Sequence, residues 1–179
     1  MSNREQRQES PFVHVLLAMA RPCHGEKSAC IRSVDKGRGD ELEILTVKLQ
    51  TIGGYWRIHK TVNARDVEKA RKWLICQLIH HPEKASYVDS EWRTALLQPE
   101  HIYGDKKFML DVDREDSSLI ESVEYLVGNN FIEKHKTPKG WHYITKPFDT
   151  REICGLTDVT LVRDGYYFIK EVGEKKEPT

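Results

Sequence analysis

Nowhere in the 179 residues does an apolar run approach the roughly 18–20 residues that a bilayer-spanning helix needs. The best candidate, 12–20, is short, follows a polar start containing Glu5 and Glu9, and lacks a signal-peptide cleavage pattern. A cytoplasmic protein with no membrane partner is therefore expected. Cysteine is scarce as well. Of the four, Cys76 sits in a helical pattern, Cys154 is isolated, and only Cys23 and Cys30 are near each other. That excludes a dense disulfide framework. Cys23-His24 with Cys30 lacks a fourth ligand at suitable spacing, so a zinc site is not expected. There is no excess of either charge: 28 basic residues balance 28 acidic ones. A protein whose main task is coating nucleic acid carries an overall basic excess, so that class is disfavoured, while a local basic groove is not. What is present, 39% hydrophobic and 31% charged residues, describes an ordinary globular chain of one domain with a modest extension.

Residues 1–10 are polar and expected to fray. Residues 12–19 suit a strand or a short helix, and 23–39, rich in Gly, Ser, Lys and Arg, read as loop. Residues 42–50 alternate as a strand with Leu42, Ile44 and Val47 inward, and Gly53-Gly54 turns into a second strand at 55–60. Val67, Ala70, Leu74 and Leu78 then follow at helical spacing until Pro82, and Trp92, Leu96 and Leu97 mark a short helix stopped by Pro99. From 108 the order is strand (108–113), helix capped by Asp116 or Ser117, two strands (131–136 and 141–146) around Thr137-Pro-Lys-Gly, a short helix within 148–156, and a strand at 159–162. Asp164-Gly165 reads as a hairpin turn into 166–169. The expected class is α+β: an N-terminal α/β subdomain over 11–104, an RRM-like or ferredoxin-like unit over 105–171 with helices on one sheet face, and a loose tail over 172–179.

In that strand order the first strand of the unit is central, and the third and fourth run antiparallel to it. The end of the first strand then lies beside the starts of the other two. Asp111 and Asp113 occupy the first place, His142 the second and Asp158 the third. Acids two apart on a strand project from one face, and carboxylate oxygens are the hard ligands that Mg²⁺ or Mn²⁺ prefers. A third carboxylate would allow two metals about 4 Å apart, an arrangement that activates a 3′-hydroxyl and stabilises leaving pyrophosphate. Asp-x-Asp alone is weak, since an acidic strand end in water explains it equally well. His142, beside a glycine turn with Thr137 and Lys139, suits a triphosphate contact, against the plainer reading of an incidental surface histidine.

These residues resemble a family. Phe108-Met-Leu-Asp-Val-Asp113 is similar to the first motif of the archaeo-eukaryotic primase superfamily, and Thr137-Pro-Lys-Gly-Trp-His142 resembles its second, in which a histidine binds nucleotide. Leu156-Thr-Asp158 resembles the third. Over 12–170 the chain also looks like short phage and bacterial proteins that share Thr-Pro-x-Gly-x-His followed by Lys-Pro-Phe, here Lys146-Pro147-Phe148. The resemblance implies an RRM-like catalytic palm, a nucleotidyltransferase that primes or polymerises nucleic acid in DNA replication. It implies Mg or Mn, nucleoside triphosphates and a single-stranded template or primer-template as partners. Asp111, Asp113 and Asp158 would hold metal, and Thr137, Lys139 and His142 would meet the triphosphate. The chain is short for a complete primase, which leaves a partner subunit open as a further requirement.

A second rank of candidates consists of Arg57, His59 and Lys60, which suit a template groove or simply the outward face of a strand, and Asp164, a rival to Asp158. Two other functions fit less well. A non-catalytic RRM-like binding module would use Phe108, Trp141 and Tyr143 as base platforms, but lacks the usual aromatic-rich submotif. A haloacid-type phosphatase would also begin on a Phe-Met-Leu-Asp-Val-Asp strand. It needs a Thr or Ser soon after, where Arg-Glu-Asp stands, and a parallel α/β order.

Overall fold

The computed structural model describes residues 10–20, 28–37 and 39–174. The expected frayed start (1–9), the end of the tail (175–179), and Cys23 and His24 lie outside the described residues. The elements are β1 (Phe12–Ala20), β2 (Cys30–Asp35), α1 (Glu41–Ile52), β3 (Trp56–Thr61), β4 (Arg65–Asp66), α2 (Val67–His80), α3 (Val88–Leu96), β5 (Phe108–Val112), α4 (Ser117–Val127), β6 (Phe131–Lys136), β7 (Trp141–Thr145), β8 (Val159–Val162) and β9 (Tyr166–Val172). They form an α+β protein with two antiparallel sheets, in the orders β2-β1-β3-β9 and β6-β7-β5-β8, with the short β4 also on β1.

Three expectations are corrected. The 42–50 segment is helix α1, not a strand. Leu42, Leu45 and Leu49 recur at helical spacing, and Leu45 and Leu49 are the buried pair, while Ile44 and Val47 face outward. The 23–39 stretch is not all loop, because β2 pairs with β1 along its length. Asp164-Gly165 does not close a hairpin: β8 pairs with β5, whereas β9 crosses to the other sheet and pairs with β3. In addition, 148–156 forms only a 3₁₀ turn at Ile153–Gly155.

Packing follows the alternation of the strands. Leu16, Ala18 and Ile58 bury against Leu45 and Leu49 of α1 on one face of the first sheet. Val13 and Val15 bury against Ala70 of α2 and Ala95 and Leu96 of α3. Under the second sheet, Leu110, Val112 and Tyr143 pack on Val123 and Val127 of α4. Val62, Met109, Ile144 and Tyr167 form the seam that joins the sheets. A fully buried Ile144 alone contributes roughly 1.5–3 kcal/mol, so the seam is a substantial fastening.

His14 on β1 makes this first sheet sensitive to acid. Its Nδ1 lies 3.0 Å from the Thr61 carbonyl oxygen, which can only accept, so Nδ1 carries a proton and donates. Burial, seconded by the Lys60 charge, pushes the imidazole down to about 4. The unfolded chain, with a histidine near 6.5, therefore binds the extra proton first. The stability this neutral histidine provides is complete above about pH 6.5 and is lost as pH falls toward 4. The loss is roughly 3 kcal/mol at most. Urea titrations across this range should show His14→Asn, which retains a donor near the Nδ1 position, with a flatter profile than the wild type.

Candidate functional site

Strand β5 alternates between two surroundings. Leu110 and Val112 point into the α4 core, while Met109 and Asp111 occupy the opposite face. Asp111 stands directly across from His142 on β7 and Thr160 on β8, and His142 stands across from His135 on β6. A polar row, His135–His142–Asp111–Thr160, thus crosses the whole sheet.

His142 is 7% exposed, bonded at Nδ1 and set close to Asp111 at Nε2. The Phe168 backbone N–H of β9 donates to Nδ1 at 3.0 Å. Nδ1 is therefore unprotonated and the ring proton of the neutral imidazole sits on Nε2, 3.2 Å from Asp111 Oδ1. His142 is not an incidental surface histidine: it links the second sheet to β9 of the first.

Asp113 follows the end of β5, and its N–H donates to the Asp158 carbonyl at 3.0 Å. The two aspartates are therefore neighbours at the same end of the sheet as Asp111. The Asp113 side chain is exposed and has no hydrogen bond or ion pair among the described residues. Asp158 has φ +65°, the one left-handed non-glycine residue described, and its carboxylate pairs with Arg114 at 3.5 Å. An open depression of about 260 Å³, lined by Arg114, Ser118, Thr157 and Asp158 among others, adjoins it.

Sequence-based candidates thus divide. Asp111, Asp113, His142 and Asp158 converge at one sheet end. Thr137 instead serves its turn: buried to 9% exposure, its Oγ1 accepts N–H bonds from Gly140 at 2.9 Å and Lys139 at 3.4 Å. Lys139 is exposed at the tip of that turn. Of the second rank, Arg57 is paired with Glu171 at 3.2 Å and Lys60 with Asp35 at 2.9 Å. His59 meets the Phe168 ring edge-on. Asp164 lies at the far end of β5, bound to Arg65. On β6, Lys134 is paired with Glu124 and Lys136 with Glu115. His135, packed at a tilt against the Tyr167 ring with centroids 4.5 Å apart, and the Phe168 amide were missed. Strand register alone reveals His135, and nothing in the sequence marks a backbone donor.

Gly140 explains how the hairpin comes so close to the acids. A Cβ there would lie 1.9 Å from the Val112 carbonyl oxygen. Gly140→Ala is expected to push the β6–β7 turn off β5 and cost roughly 1–3 kcal/mol, measurable by thermal unfolding.

The donor set suits a hard divalent cation: three carboxylates, of which Asp113 and Asp158 are exposed at the end of β5 and just before β8. Among the described residues, no three His, Cys, Asp or Glu side chains are already gathered to ligate one ion. Phosphatase chemistry of the haloacid type needs a parallel sheet, whereas β5 is antiparallel to both neighbours. No helix among the described residues is long and apolar enough to cross a membrane. No family model, curated protein or solved structure matches the chain.

Proposed function

We propose that the second sheet and α4 constitute an RRM-like palm, and that the chain is a metal-dependent nucleotidyltransferase of the primase–polymerase kind. One observation carries this reading: Asp158, distant in sequence, comes to the sheet end that holds Asp111 and Asp113, beside a buried histidine. A bound Mg²⁺ or Mn²⁺ would supply Lewis-acid activation of an attacking hydroxyl and charge stabilisation for a leaving pyrophosphate. Asp111, Asp113 and Asp158 would hold it through their carboxylate oxygens. Exposed Lys139 and Arg114 flank the acids and offer positive charge to a triphosphate, Arg114 at the small cost of its loose pair with Asp158. Nucleic acid, as single-stranded template or primer-template, is the second substrate, and a partner subunit would complete the groove.

Labelled-nucleotide incorporation on single-stranded DNA and RNA templates, with Mn²⁺ or Mg²⁺, tests the proposal. Metal-dependent incorporation supports it. Template binding without incorporation under either metal overturns it in favour of a non-catalytic RRM-like binding module. That module is the reading that three separated carboxylates would otherwise suit.

A further inference from the structure

We infer that His142 is a positioning residue for Asp111 rather than a contact for the triphosphate. This rests on the metal-site reading above and assigns one of its residues a different task. The Phe168 N–H has a single lone pair to address, at Nδ1, 3.0 Å away. Because a backbone amide can only donate, it fixes both the ring orientation and the tautomer. Nε2–H then lies on the Asp111 side of the ring, with Asp111 Oδ1 3.2 Å off as a close polar contact rather than a well-aligned hydrogen bond. One carboxylate oxygen is held by the imidazole, and the other, Oδ2, is left for a cation. A histidine bonded at Nδ1, set against a carboxylate at Nε2 and only 7% exposed offers little free edge for a phosphate oxygen. The same bond also makes the metal site depend on how β9 sits against β7, so the first sheet supports the chemistry of the second. Outer hydrogen-bond partners of this type typically change metal affinity by roughly 10–100-fold when removed.

Two substitutions separate the two ends of the ring. In His142→Asn the amide reaches the Nδ1 position, so the Phe168 N–H retains an acceptor while Asp111 loses its donor. In His142→Gln the amide reaches the Nε2 position, so Asp111 retains a donor while Phe168 loses its acceptor. Mn²⁺ binding to the intact chain, read from the free-ion electron paramagnetic resonance signal, is the primary measurement, with unfolding temperature and the triphosphate KM beside it. Expected is a loss of Mn²⁺ affinity of roughly tenfold or more in His142→Asn despite a near-native melting temperature. His142→Gln should stay within about threefold of wild type even where its melting temperature falls, a rescue that a purely structural role does not produce. The triphosphate KM at saturating Mn²⁺ should be unchanged in both. Wild-type Mn²⁺ affinity in His142→Asn overturns the assignment and leaves the metal site standing. A raised KM in both variants with unaltered Mn²⁺ affinity also overturns it, in favour of direct triphosphate contact. A wild-type chain that binds no Mn²⁺ overturns the metal-site reading and this assignment with it.

Discussion

Asp164→Ala is expected to cost roughly 3–5 kcal/mol of stability, because it strands a buried guanidinium. Arg65 is 2% exposed and reaches Asp164 through both terminal nitrogens, at 3.0 and 2.7 Å. Asn63 adds a third bond to the same carboxylate at 3.1 Å and also bonds both the N–H and the carbonyl of Lys107. The group ties β4, the start of β5 and the turn before β9 into one knot. Among the described residues Arg65 Nε has no partner, so the bonds to Asp164 carry most of the compensation for burying the charge. For a chain of this size the loss corresponds to a fall in melting temperature of roughly 6–20 °C. Removing both charges together, as Arg65→Met with Asp164→Leu, should recover most of the loss, since a buried pair is often no better than apolar residues of similar volume. A single Asp164→Ala variant within about 1 kcal/mol of wild type would sink the argument.

Asp164 also illustrates what the sequence conceals. An Asp-Gly pair between two short β-like runs reads locally as a hairpin turn, and the local reading is reasonable. What overrides it is Arg65, a hundred residues away, together with the pairing of β9 to β3 rather than to β8. Local patterns were sufficient where an element supplies its own periodicity. Leu119, Val123, Leu126 and Val127 announce α4, and Phe-Met-Leu-Asp-Val announces β5. They failed at 42–50, where Leu42, Ile44 and Val47 satisfy alternation loosely and the helical set Leu42, Leu45 and Leu49 satisfies burial better. Within the site, the convergence of Asp111, His142 and Asp158 followed from strand order, because order and direction alone determine which strand ends are adjacent. The state of His142 did not, since it depends on a main-chain N–H from another sheet that no side-chain pattern encodes.

Asp113→Asn is the cleanest test of the proposed chemistry, and it is expected to lower metal-dependent nucleotide incorporation by roughly 10³-fold or more, about 4 kcal/mol of barrier. The side chain is exposed and has no hydrogen bond or ion pair among the described residues, so the fold has no need of its charge. Melting temperature should therefore not move, and the loss can be assigned to chemistry. Asp111→Asn should match it in activity while retaining an oxygen for the His142 Nε2–H, and the double variant should be no worse than the poorer single one, since residues that act as a unit are not additive. Asp158 supplies an independent check through its backbone. At φ +65° an aspartate is strained where glycine is not, so Asp158→Gly should leave stability unchanged or raise it by up to about 1 kcal/mol. The same substitution removes a proposed ligand and should cost incorporation as severely as Asp113→Asn. A variant that is more stable and inactive is the signature of a residue kept for chemistry at the expense of the fold. Full incorporation by either Asp113→Asn or Asp158→Gly would remove that residue from the metal site, and full incorporation by both would end the three-carboxylate reading.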